Sequence, residues 1–151
     1  MMYNVNKKVK DIPNIKAKYN YIAGVSIFTL AQNIFDINGF DERYFLYADD
    51  MDFCFEAQKR GIKLLWCKNA IVYHKGGASI GSAKDLDKRT YISEYYSNLS
   101  MFQFNKKWHP VLYKLFNFNR YFLKYLQFKI KKKSELMRAL KEAKKYFKEN
   151  Y

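Results

Sequence analysis

YADDMDFCFEAQKRG, residues 47 to 61, packs three aspartates, Asp49, Asp50 and Asp52, into four positions of a chain with 28 Lys and Arg against 14 Asp and Glu. Carboxylates this close repel one another, and the flanking Tyr and Phe imply partial burial, which raises the cost. The same stretch reads as a helix. Asp52 opens a helical pattern through FCFEAQKR that stops at Gly61. An acid in the first turn, and Lys59-Arg60 ahead of a terminal Gly, follow the helix-dipole and C-cap rules. A helix N-terminus with Asp52 as cap explains one carboxylate well and three poorly.

On the C-terminal side, IKLLWC (62–67) reads as a strand, Lys68-Asn69 as a turn, and AIVYH (70–74) as a second strand. His74 would then end a strand and open the glycine-rich loop KGGASIGSA (75–83). Upstream, YIAGVSIFTL (21–30) is apolar with β-branched residues, which predicts a buried strand entering a short helix near Leu30 to Ile37. FDINGFDERYF (35–45) supplies turn chemistry: Gly39 can take positive φ, and Asp41 can form an Asx turn or a cap. A further helix is expected from Asp87 to about Lys107. Residues 1–20 are polar and basic, a loop or weak edge strand.

A chain of 151 residues is one domain long enough for a real core, and 19% aromatic content excludes a disordered tail. Two cysteines, Cys54 and Cys67, read as buried free thiols. They and the lack of a cationic-then-apolar leader lead us to expect a reducing, cytoplasmic setting. With His74 and His109 they fit no compact zinc spacing. Charge divides the chain. Residues 106–151 hold 14 of the 28 Lys and Arg and three acids, Glu135, Glu142 and Glu149, a net +11; residues 1–105 net only +3.

In that tail, WHPVLYKLFNFNRYFLKYLQFKIKKK (108–133) mixes aromatics with cations. Lys114, Arg120, Lys124 and Lys129 interrupt every window long enough to span a bilayer, so an interfacial helix is expected. SELMRALKEAKKYFKEN (134–150) reads as a separate amphipathic helix, capped by Ser134, with Leu136, Leu140, Ala143 and Phe147 as its stripe. An anionic membrane surface is the favoured partner of 108–151. Packing of these helices on the body comes second, and nucleic acid a distant third, because no nucleic-acid-binding motif is present.

GVSIF, then INGFDERYFLYADDMDFCFEAQKRGIKLLWCKNAIVYHKGGASIG, then YYSNLSMFQFNKKWHP resembles the C-terminal half of the catalytic domain of family 2 glycosyltransferases, over roughly residues 20–110. The subgroup it looks most like contains rhamnosyl- and galactofuranosyltransferases of bacterial surface polysaccharides. The resemblance implies an α/β chain: a partial GT-A, Rossmann-like domain at 21–107, followed by the basic helical tail at 108–151. It also implies an inverting, metal-dependent transfer from a nucleotide-sugar donor (UDP- or dTDP-sugar) to a glycan or lipid-linked acceptor, on the inner face of the plasma membrane.

By that resemblance Asp50 is the general base that takes the acceptor hydroxyl's proton, Asp49 contacts the acceptor, and Asp52 caps the helix. Gly39, Asp41 and Gly61 shape the turns. His74 would help bind Mn²⁺ or Mg²⁺, and Lys75, Gly76 and Gly77 the donor diphosphate. Taken alone, a strand-end histidine bonded to a neighbouring carbonyl is the commoner role. Asp50-Met51-Asp52 fits the metal-binding D-x-D pattern, but the family's D-x-D lies upstream, in a nucleotide-binding half with no counterpart in residues 1–20. The expectation is a truncated product or fragment, or a donor half on a separate chain. The competing reading is a non-catalytic basic module that binds membrane or nucleic acid.

Overall fold

The computed structural model describes residues 21–67, 69–74 and 86–151. These contain five helices: α1 (Ala31–Asp36), α2 (Asp49–Lys59), α3 (Tyr91–Trp108), α4 (Tyr113–Ile130) and α5 (Ser134–Asn150). No strand is found among the described residues, so the α/β, Rossmann-like GT-A expectation is corrected to an all-helical one. The segments read as strands, 21–30, 62–67 and 70–74, have neither helix nor strand. A strand exists only where a neighbour takes up its N–H and C=O groups, and no described segment does so here. Their apolar side chains stay outside any core: Phe28, Leu65, Ile71 and Tyr73 are exposed.

Local chemistry sets the helix boundaries. The Gly39 N–H donates to the Ile34 carbonyl at 2.9 Å with Gly39 at φ 69°, which ends α1 in a left-handed turn. Gly61, at φ 79°, does the same for α2, its N–H reaching the Gln58 carbonyl at 3.0 Å. Thr90 and Ser93 form a capping box on α3, which starts at Tyr91, four residues later than expected. Two caps differ from the sequence reading. The residue preceding α2 is Ala48, so Asp52 lies inside the helix. Lys133 precedes α5, and the Ser134 side chain makes no cap bond.

α3, α4 and α5 pack on one another. Their shared core joins Leu99 and Phe102 of α3, Phe128 of α4, and Leu136, Leu140, Ala143 and Phe147 of α5. Those α5 residues fall at three- and four-residue spacings, the period of one helix face. Burying a side chain of this size stabilises by roughly 1.5–3 kcal/mol. A second cluster lies on another side of α3: Tyr44, Ala48 and Phe104, flanked by Met51, Phe55, Met101 and Trp108. Flanked by two cores, α3 has no single apolar stripe. Among its buried polar residues, Ser100 Oγ donates to the Leu46 carbonyl at 2.7 Å and Asn105 Nδ2 to Asn117 Oδ1 at 2.8 Å, whereas Gln103 Oε1 is buried with no hydrogen-bond partner among the described residues.

Candidate active site at the start of the second helix

The three aspartates have three different fates. Asp52 is buried, 2% exposed, and its carboxylate is fully engaged. Lys107 Nζ donates to Oδ2 at 2.7 Å, Trp108 Nε1 to Oδ1 at 2.6 Å, and the Tyr44 hydroxyl to Oδ1 at 3.2 Å. Lys107 also lies 3.2 Å from both Asp41 and Glu56. Burial works against its charge, but these three carboxylates outweigh that and raise its pKa. Burial and the neighbouring Asp52 push the Tyr44 phenol well above its usual range. Asp52 is therefore the pin that ties α2 to the end of α3, a structural role but not that of a cap.

Asp50 is partly exposed, and no cation pairs with it among the described residues. Its Oδ2 accepts from the Tyr21 hydroxyl and from the Gly24 N–H, each at 2.8 Å; Oδ1 accepts from the next backbone N–H, Met51, at 2.8 Å. The 21–24 segment is thus laid along the start of α2, and Cys54 Sγ accepts from the Ile22 N–H at 3.3 Å. A Cβ at Gly24 would meet Asp50 Cβ at 3.2 Å, so the close approach favours glycine. Burial, then the Asp50 hydrogen bond, pushes the Tyr21 phenol far above its ordinary value, which keeps it a donor. Asp49 is the first residue of α2, and all three acids lie in the first turn, where the helix dipole favours negative charge.

Two consecutive non-glycine residues lead into that turn in the left-handed region, Tyr47 at φ 68° and Ala48 at φ 63°. Each costs on the order of 1–2 kcal/mol, and such strain tends to gather at functional sites. Asp41 forms the expected Asx turn: Oδ1 accepts from the Arg43 N–H at 3.1 Å. The Arg43 guanidinium holds its carboxyl well below the usual carboxylate range.

Other expected site residues do not join this cluster. His74 is exposed and ends no strand. Lys75, Gly76 and Gly77 lie outside the described residues. Among the described residues, no group of three His, Cys, Asp or Glu is placed to hold a metal ion. Cys54 is buried, its thiol pKa raised by that burial; Cys67 is exposed, a correction to the expectation of two buried thiols.

The reading of the sequence missed the partners of Asp52. Lys107 and Trp108 lie at the far end of a different helix, and nothing local links them to residue 52. It also missed a cationic cluster between α3 and α4. Arg120 and Lys124 stand four residues apart on α4 and point toward Glu94 and Asn98 of α3. Their spacing was the available signal, since residues four apart lie on one helix face and like charges there repel unless a neighbour offsets them.

No protein family, curated protein or solved structure matches this chain. Among the described residues, no helix is long and apolar enough to cross a membrane.

Proposed function

We propose that this chain is the acceptor-side part of an inverting glycosyltransferase of bacterial surface polysaccharide or lipid-linked glycan synthesis, with Asp50 as general base. The observation that carries the proposal is the division of labour within the acidic cluster. Asp52 is consumed by Lys107, Trp108 and Tyr44, whereas Asp50 stays partly exposed and is held by neutral donors, Tyr21 and Gly24. A carboxylate fixed in place but not neutralised by a cation is what accepting a hydroxyl proton requires. In the transfer, that proton passes to Asp50 as the acceptor oxygen attacks the anomeric carbon and the nucleoside diphosphate departs. The donor-binding portion and its metal belong to the resemblance.

In an enzyme completed by a nucleotide-binding half, Asp50→Asn is expected to keep folding and nucleotide binding and to lower transfer by about 100-fold or more. Transfer within a factor of about ten of wild type, a loss of only about 1.4 kcal/mol, would overturn the role of Asp50.

A second reading, a basic module docked on an anionic membrane surface, is favoured by the outer face of α4. Leu115, Phe118, Phe122, Leu126 and Ile130 recur at three- and four-residue intervals and are all exposed. Exposed Lys114, Lys129, Lys131 and Lys132 accompany them. Rings at the headgroup boundary with cations on anionic lipid are the pattern of an interfacial helix. The two readings are compatible, since an enzyme using a lipid-linked acceptor works at that surface. The expected result is salt-sensitive binding to phosphatidylglycerol vesicles that falls about tenfold or more in Phe118→Glu/Phe122→Glu. Equal partitioning onto neutral vesicles would remove the membrane from the reading.

A further inference from the structure

A cavity of about 350 Å³ is bordered by α3, α4 and the turn that precedes α2. Arg89, Arg120 and Lys124 line it, and Glu94 is the one carboxylate among its lining residues. Glu94 is 1% exposed and already shared: Lys124 Nζ donates to Oε1, and an Arg89 amino group donates to Oε2 at 3.0 Å. Arg120 turns to neutral acceptors instead. Its Nε donates to Asn98 Oδ1 at 3.0 Å, and one amino group reaches the Ser97 carbonyl and Oγ, each at 3.1 Å. Arg120 thus pairs with no carboxylate among the described residues, while Lys124 and Arg89 both reach Glu94.

Lys107 gives the internal comparison. It is the less deeply buried of the two lysines, it meets three carboxylates, and its pKa rises. Lys124 has a side chain 17% exposed and meets one carboxylate. Burial, and then the neighbouring Arg120, pull its pKa down to about 8. Removing a cation such as Arg120 from water without a matching anion is costly, and buried charges are as a rule paired. The strained Tyr47 lies on the same wall. The volume is at the small end of ligand-sized pockets, roughly 300–1,000 Å³.

We propose that this cavity is a binding site for a phosphate-type anion, a mono- or diphosphate group, gripped by Arg120, Lys124 and Arg89. The guanidinium fork matches the oxygens of a phosphoryl group bidentately, and the ammonium adds a compact point charge. The site is separate from Asp50 and from the exposed face of α4.

The test is titration calorimetry of the full chain with inorganic pyrophosphate at physiological ionic strength. Saturable one-to-one binding is expected. It should weaken about tenfold or more in Lys124→Gln and keep its affinity in Lys145→Gln, which removes the same charge from the surface of α5. Arg89→Gln, outside any helix, serves as the second cavity variant should Lys124→Gln fail to fold. Vesicles containing phosphatidic acid, run with the same variants, separate the sources of the group. Cavity-dependent capture of vesicles alone assigns the phosphate to a lipid headgroup, and cavity-dependent pyrophosphate binding assigns it to a solute. Absence of saturable binding in both arms, or equal weakening by Lys145→Gln and the cavity variants, would overturn the proposal.

Discussion

Phe102→Ala is expected to cost about 4 kcal/mol of unfolding free energy, within the range of about 3–5 seen for buried aromatics. Phe102 is 1% exposed, its ring lies 5.7 Å from that of Phe147 on α5, and its carbonyl accepts from Asn117 on α4. It therefore touches all three helices of the main unit. The residue also lines a hollow of about 460 Å³ that includes Phe147 and Tyr151, so truncation enlarges an existing gap that the neighbours cannot close. Against a total stability of roughly 5–15 kcal/mol, the loss would be visible as a large drop in the urea midpoint. Phe118→Ala is the control: that ring is 58% exposed, and its loss should cost within about 0.5 kcal/mol. If the two variants were equally stable, the packing of α3 against α4 and α5 would be wrong.

Asp52→Ala should have the second-largest effect, and a different character. It leaves the Trp108 N–H and the Tyr44 hydroxyl without their carboxylate, and leaves Lys107 with only Asp41 and Glu56. Removing one partner of a buried pair costs about 3–5 kcal/mol, and the remaining acids near Lys107 place this case at about 3. The loss should fall on one part of the fold. α2 is fastened to α3 chiefly by side chains, through Asp52 and the Phe55–Phe104 and Phe55–Trp108 ring pairs, and the turn before it by the Ser100–Leu46 bond. The α3–α5 core has its own cluster. Amide exchange should accordingly show α2 and residues 41–48 opening while α3, α4 and α5 keep their protection. A uniform loss of protection across all five helices would show that the two clusters fold as one.

These effects also separate what could be read from the chain from what could not. The apolar stripe of α5 was legible because all its information lies within one helix: Leu136, Leu140, Ala143 and Phe147 repeat with the helical period and are buried together. The end of α2 at Gly61 and the turn at Gly39 were legible for the same reason, since a left-handed residue is a local demand. The identity of the buried aspartate was not. Asp50 and Asp52 are two residues apart with similar neighbours, and the choice between them is made by Lys107 and Trp108, more than fifty residues away. Likewise, Arg120 and Lys124 read as interruptions in an interfacial helix until Glu94 and Asn98 were brought against them.

Residue order alone was enough to set the helices, the turn glycines and the basic tail, because helical hydrogen bonds close within four residues and charge is a property of composition. The fate of the segments 21–30, 62–67 and 70–74 was settled by tertiary packing. Their residues favour strands, but β-propensity is a preference for a partner surface, and a strand ladder forms only where another strand takes up the backbone N–H and C=O groups. Without a partner among the described residues, apolar sequence of the right type yields chain without regular structure, laid along α2 at Tyr21 and Gly24 and open to solvent at Leu65 and Tyr73. The same rule set the roles of the aspartates: a carboxylate's chemistry is fixed by what reaches it, and that is settled in three dimensions.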